Sequence, residues 1–143
     1  MKVWEILRSK GSRVVTVSPR QAVVEAIALM NENGIGALVV LSEKEEILGI
    51  ISERDVLRRV LKTPTPDLQR PVEDFMTKDI IVGVPEDRAG YVMGVMTKNR
   101  LRHLPIMDKG KLVGIISIGD VVKVKLEETE FENRHLREYI TGP

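Results

Sequence analysis

Apolar and polar positions along this chain switch between two periods. Val14-Val15-Thr16-Val17 is a short β-branched run that suits an extended strand, and it stops at Ser18-Pro19, where proline has no amide to continue a ladder. From Gln21 to Asn33 the apolar residues Ala22, Ala26, Leu29 and Met30 recur at helical spacing, with Val23 and Ile27 beside them, so the segment predicts a helix with one buried face. Gly34 follows Asn33, as a left-handed cap should. Ala37-Leu38-Val39-Val40-Leu41 is apolar throughout, which fits a strand covered on both faces. The polar run Ser42-Glu43-Lys44-Glu45-Glu46 predicts a turn, and Ile47-Leu48-Gly49-Ile50-Ile51 the second strand of a hairpin. Ser52-Glu53-Arg54-Asp55 then reads as the start of a helix that continues through Val56 and Leu57. The unit is strand, helix, strand, strand, helix.

The same order returns. Gly49-Ile50-Ile51-Ser52-Glu53-Arg54-Asp55 reappears as Gly114-Ile115-Ile116-Ser117-Ile118-Gly119-Asp120, with Gly, Ser and Asp each displaced by 65 positions. Upstream the displacement is 66: Ile80-Ile81-Val82-Gly83-Val84-Pro85 answers the first strand and its proline, and Ala89, Val92, Met93 and Met96 answer the first helix. Asn99 is expected to take the left-handed turn of Gly34. The one-residue difference arises in the hairpin turn, which is the shorter Asp108-Lys109-Gly110-Lys111 in the second copy. Both copies open alike, with Val3-Trp4-Glu5-Ile6-Leu7 and Val72-Glu73-Asp74-Phe75-Met76. Self-similarity at a long fixed period marks two copies of one structural unit. The expected organisation is a first unit at 1–62, a linker at 63–71 containing Pro64, Pro66 and Pro71, a second unit at 72–126, and a charged C-terminal helix and tail at 127–143. The last helix is expected to begin at Ile118, run toward Tyr139 and stop at Thr141-Gly142-Pro143.

Composition narrows the function classes. A chain of 143 residues is the size of one ordinary domain, so two half-sized units must share it. With 43% hydrophobic and 30% charged residues the chain is not a disordered one, and 3% aromatics make the core aliphatic and leave no platform for stacking bases. The net charge of +1 balances 22 basic against 21 acidic residues, so no chain-wide footprint for nucleic acid or an anionic membrane exists and any anion site is local. Absence of cysteine excludes disulfides, thiolate metal sites and a Cys nucleophile. No apolar run is long enough to span a bilayer, and Met1-Lys2-Val3-Trp4-Glu5 leads straight into amphipathic sequence, which reads as a cytoplasmic protein. The two His lie in unlike contexts, and no nucleophile–base pair, acid–base pair or metal set assembles, which argues against an enzyme. Neither a metal nor a catalytic cofactor is expected.

Candidate chemistry concentrates in the two Ser-x-x-Asp segments. Each reads first as a helix cap, in which the Ser hydroxyl accepts from a first-turn amide and the Asp suits the positive end of the helix dipole. Recurrence in the same frame gives a second role more weight. A β-α-β-β-α unit present twice, with Pro after the first strand, Arg102-His103-Leu104-Pro105-Ile106 leading into the second and Gly-Ile-Ile-Ser-x-x-Asp leading out, resembles the tandem cystathionine-β-synthase (CBS) domain pair, or Bateman module, over nearly the whole chain. The resemblance implies an α/β (α+β) fold of two pseudo-twofold-related CBS units packed through their sheets, with two pseudo-symmetric clefts. It implies that Asp55 and Asp120 bond ribose hydroxyls and that Ser52 and Ser117 lie near phosphate or ribose. It implies further that backbone at Thr16, Val17 and Pro19, and at Val82, Val84 and Pro85, meets adenine, and that Gly36-Ala37-Leu38 and Arg102-His103-Leu104-Pro105 form another wall. Members of the family bind AMP, ADP, ATP, S-adenosylmethionine, NAD-type ligands or nothing known.

The chemistry of the residues agrees with a nucleotide ligand. A carboxylate accepts from a cis-diol, a helix N-terminus suits phosphate oxygens, and Arg offers a bidentate anion contact. The copies differ here: copy one has Arg54 where copy two has Gly119, while copy two has Arg100, Arg102 and His103 where copy one has Gly34, Gly36 and Ala37. The cleft of Ser52 and Asp55, reached by Arg102 and His103, is therefore expected to be the better anion site. Arg102 also reads as a solvent-facing hairpin residue and His103 as a satisfied structural histidine. The expected function is a regulatory adenine-nucleotide sensor of energy or metabolite state, homodimeric, with no membrane partner, acting on a partner protein in trans. The rival reading is a ligand-free interaction or dimerisation module.

Overall fold

The computed structural model describes residues 1–11 and 13–141. Its elements are α1 (Val3–Lys10), β1 (Thr16–Val17), α2 (Val23–Asn33), β2 (Ala37–Leu41), β3 (Ile47–Ser52), α3 (Glu53–Lys62), a single 3-10 turn at Val72–Asp74, α4 (Ala89–Asn99), β4 (His103–Asp108), β5 (Lys111–Ser117) and α5 (Ile118–Thr141). The chain divides into two compact units. One, called here the first-copy unit, comprises Arg13–Ile81 and Lys109–Val113; the second-copy unit comprises Met1–Ser12, Val82–Asp108 and Gly114–Pro143. No helix among the described residues is long and apolar enough to cross a membrane.

In the first-copy unit the sheet order is β1-β2-β3. β1 runs parallel to β2 with Thr16 opposite Val39 and Val17 opposite Val40, and β2 pairs antiparallel with β3, from Leu41 opposite Ile47 to Ala37 opposite Ser52. The all-apolar sequence of β2 follows from its burial, since Ala37, Leu38, Val39 and Val40 are all buried. Val23, Ala26 and Met30 turn one face of α2 into the same core as Val17, Leu38, Val40, Ile51, Val72 and Phe75. Gly34 caps α2 at φ 62, as the sequence predicts.

Val72 and Phe75 come from the opening segment of the second copy, and the converse holds in the other unit. The opening segments are exchanged between copies. Val72 N donates to Gln21 O at 2.8 Å and Glu73 N to Pro19 O at 3.0 Å, while Val3 N donates to Asp87 O at 2.8 Å and Trp4 N to Pro85 O at 3.1 Å. The turn after each copy's first strand thus holds the orphan amides with which the other copy's segment begins. The two recurrent glycines serve the same exchange. A Cβ on Gly49 would lie 2.5 Å from Thr77 O and 3.0 Å from Met76 Sδ, and one on Gly114 would lie 2.5 Å from Leu7 Cδ2. Glycine interrupts both β-branched strands because an exchanged segment crosses there.

Two expectations change in the second-copy unit. The strand expected over Ile80 to Val84 shrinks to a single parallel bridge between Gly83 and Ile106, with Gly83 N donating to Pro105 O and Met107 N to Gly83 O, both at 2.9 Å. Extending that ladder in one direction needs an N–H on Pro105, and in the other an N–H on Pro85; neither exists. Copy one has Val39 at the place of Pro105 and forms a two-residue strand. The left-handed residue after α4 is Arg100, φ 55, and Asn99 is the last residue of the helix. Arg100 occupies the register position of Gly34, so the backbone keeps the turn although the glycine is missing. α5 runs 24 residues from Ile118 as expected, and the Gly142 and Pro143 of its anticipated stop lie outside the described residues.

Candidate ligand site

β3 ends at Ser52, and the extended backbone of that residue turns directly into α3. Asp55 N donates to Ser52 Oγ at 3.3 Å, while Ser52 N and Ser52 Oγ donate to Asp55 Oδ2 at 2.9 and 3.0 Å, closing a capping box in both directions. Glu53 N donates to Gly36 O at 3.0 Å and Ala37 is the register partner of Ser52, so Gly36, Ala37, Ser52 and Asp55 gather at one end of the sheet. The other carboxylate oxygen, Asp55 Oδ1, accepts from Thr77 Oγ1 at 3.0 Å. Thr77 is fixed there by a reciprocal backbone pair with Ile50, at 3.0 and 2.8 Å.

The second-copy unit repeats this frame. Ser117 N donates to Asp120 Oδ2 at 2.8 Å, Asp120 N to Ser117 Oγ at 3.1 Å, and Ile118 N to Arg102 O at 2.8 Å. What meets the carboxylate is different. Lys10, at the end of α1, donates from Nζ to Asp120 Oδ2 at 2.6 Å and to Ile115 O at 3.0 Å. The ion pair is partly buried, with the Lys10 and Asp120 side chains 33% and 22% exposed. Burial by itself raises the pKa of Asp120, but the Lys10 ammonium and the Ser117 donors outweigh it and hold the carboxyl below its ordinary range.

The residues expected at the site divide into those brought to this end of the sheets and those that are not. Thr16 lies two register positions beyond the level of Ala37 on β1, and Val17, being buried, offers only its backbone. Arg54 is exposed on the first turn of α3. Arg102 is exposed just before β4, His103 is its half-buried first residue, and both belong to the unit that holds Ser117 and Asp120. Val82 is exposed at the level of buried Pro105. Pro19 is not at the Ser-x-x-Asp end. Continuing the β1–β2 register places it five positions past Ala37, roughly 16 Å along the strand. The reason is directional: β1 is parallel to β2, so its C-terminal end lies with the C-terminal end of β2, while β3 delivers Ser52 to the N-terminal end. Pro85 and Val84 stand in the same position in copy two. Both proline carbonyls receive an exchanged segment instead, from Glu73 N and Trp4 N. Thr77 and Lys10 are the two residues that the sequence reading missed; the only signal for them was a glycine inside each β-branched strand, which marks a close backbone approach.

Two strand-to-helix junctions of one design, each with a Ser-x-x-Asp box against the start of a neighbouring strand, define a tandem module. The family model described as "CBS domain" matches residues 5–62 and 72–127, and the chain belongs to that family. It is 33% identical to the CBS domain-containing protein CBSX3, mitochondrial, of Arabidopsis thaliana, over 98% of this chain and 72% of that protein. The crystal structure of the CBS-domain containing protein ATU1752 from Agrobacterium tumefaciens superposes with a TM-score of 0.84 at 38% identity, covering 87% of this chain and 99% of that one. The CBS domain protein PAE2072 from Pyrobaculum aerophilum, complexed with AMP, shares the fold at a TM-score of 0.75 and 24% identity, over 84% of this chain and 89% of that one.

Proposed function

We propose that this chain is a regulatory module that binds an adenosine nucleotide of the AMP, ADP or ATP type and passes its bound state to a partner protein in trans. The observation that carries this reading is the pair of Ser-x-x-Asp boxes on one backbone frame, each set against the start of a neighbouring strand by the Glu53 N–Gly36 O or the Ile118 N–Arg102 O hydrogen bond. In this reading Asp55 and Asp120 accept from ribose hydroxyls, and Ser52 and Ser117 lie beside the phosphate. Thr16, Val17, Gly36 and Ala37 line the first site with Arg54 as its cation; Val82, Arg102, His103 and Pro105 line the second. The AMP held by PAE2072 supports an adenosine ligand. The module acts by binding and has no catalysis of its own. We read it as cytoplasmic, and as a homodimer because Leu61 of α3 and Leu126 of α5 are 77% and 61% exposed and an isologous interface would cover such faces.

Melting measurements test the reading. A ligand that binds only the folded chain at a hundredfold excess over Kd adds about 2.7 kcal/mol, which is several degrees in Tm for a domain of this size. AMP, ADP or ATP should produce that shift, and guanine nucleotides a smaller one. A flat Tm in millimolar AMP, ADP, ATP, NAD and S-adenosylmethionine, with protein freed of co-purified ligand, would put the ligand-free interaction module in its place.

A further inference from the structure

Lys10 sets an ammonium on the carboxylate that the nucleotide reading assigns to a ribose. An ammonium has three N–H donors, and here one goes to Asp120 Oδ2 and one to Ile115 O. α1 itself is firmly placed: Val3, Ile6 and Leu7 are buried, and its first amides are held by the carbonyls of Asp87 and Pro85. The backbone of Lys10 is therefore anchored while its four-carbon stem is free to swing. A diol arriving at Asp120 has to displace this ammonium or share the carboxylate with it. In copy one the donor to be displaced is the neutral Thr77 hydroxyl, which needs only to rotate.

The charge balance then separates two classes of ligand. An uncharged nucleoside that takes Asp120 separates the Lys10 ammonium from its counter-ion and offers no anion in return. A ligand carrying phosphate supplies a replacement anion as it takes the carboxylate, so the exchange conserves charge. Building on the nucleotide reading, we propose that Lys10 is the specificity-determining residue of the second-copy site: it guards Asp120 against uncharged nucleosides and yields it to ligands whose anionic group takes the ammonium in exchange.

The test is a titration of isotope-labelled protein with adenosine and with AMP, read separately at the two sites. Amides of Ile118, Gly119 and Asp120 report the second-copy site, and those of Glu53, Arg54 and Asp55 the first. In the unsubstituted chain the second-copy site should prefer AMP to adenosine, and Lys10→Met should shrink that preference roughly tenfold or more, tightening adenosine and weakening AMP. Lys10→Arg should retain the preference, and the first-copy site should respond alike in all three proteins. Lys10→Gln keeps a neutral N–H donor on a stem one bond shorter, and serves if the methionine variant does not fold. A lysine that merely pins α1 would lower Tm in the neutral variants and leave the AMP-to-adenosine ratio unchanged; that result overturns the proposal while the nucleotide reading stands. Absence of AMP and adenosine binding at both sites of the unsubstituted chain overturns both.

Discussion

The two Ser-x-x-Asp junctions share their backbone and part company at the carboxylate. In each, the Ser hydroxyl takes the Asp amide, the Asp takes the Ser amide, and the first helical residue is tied to the residue before a neighbouring strand. Asp55 is then met by a hydroxyl and Asp120 by an ammonium. The cause lies in the exchanged opening segments: the first is an eight-residue helix and the second a three-residue 3-10 turn. After Leu7 the helix continues three residues to Lys10, whereas after Met76 the next residue, Thr77, already pairs with Ile50 as extended chain. Duplication set the hydrogen-bonded frame of both sites, and the segment that crosses over sets the charge of each.

The contact that would break this comparison most severely is the crossing itself. Alanine at Gly49 would place its Cβ 2.5 Å from the backbone oxygen of Thr77, which cannot retreat without losing its pair with Ile50, and a cost of about 3 kcal/mol is expected. Alanine at Gly114 meets Leu7 methyl groups at 2.5 and 2.8 Å, and a side-chain tip can turn aside, so about 1 kcal/mol is expected there. Urea denaturation of the two variants gives the ranking. Equal costs would mean that the crossing segments are held alike, and a reversed order would mean that α1, and with it Lys10, is the more rigid of the two.

The next largest effect concerns the carboxylates as ligand groups. Asp55→Ala is expected to weaken adenine-nucleotide binding at its site by about 1.5–3 kcal/mol, the range for a hydrogen bond to a charged group, and Asp120→Ala to cost less at its own, because Lys10 already engages that carboxylate. Either change also removes a cap, worth about 1 kcal/mol of stability, so melting without ligand has to be followed in parallel. Calorimetric titration showing equal losses would erase the asymmetry between the sites; no loss in either variant would remove the ribose role from both.

What the sequence disclosed and what it concealed follow from the range of the interactions involved. The hairpins, α2 with its Gly34 cap, the helix starts at Glu53 and Ile118 and the two capping boxes are local, and period, β-branching and turn chemistry determine them within a few residues. The shortened strand at Gly83 was also within reach, since Pro105 opposite Val82 removes the amide a longer ladder needs. The positions of Pro19 and Pro85 were not, because proline marks the end of a strand without saying toward which end of the sheet that strand points. The exchange of opening segments was further hidden: Lys10 and Asp120 are 110 positions apart, and although Asp120 stands out as a candidate, Lys10 looks like an ordinary surface residue until the chain is folded.

The finest distinction between the junctions is electrostatic and shows in acid and in salt. The carboxyl of Asp120 titrates lower in the folded chain than in the unfolded one, against the tendency of its burial, chiefly because of Lys10. A depressed folded value means that the ion pair stabilises the chain above the unfolded pKa, about 3.9, and that this contribution fades as pH falls through the lower folded value. Asp120→Asn keeps an acceptor for the Ser117 amide and removes the charge, so the stability gap between it and the parent should be level from about pH 7 to 5 and close progressively below about pH 4. Both side chains retain some exposure, so the gap at neutral pH should be no more than about 1 kcal/mol. Added salt should narrow it further, because a pair in contact with solvent is screened. The corresponding gap for Thr77→Val, which deletes a hydroxyl on Asp55 and no charge, should be insensitive to salt; chemical denaturation at low and high ionic strength separates the two. Equal salt dependence in the two variants would mean that hydroxyl and ammonium are interchangeable at these junctions, and the charge difference between the sites would carry no consequence for binding.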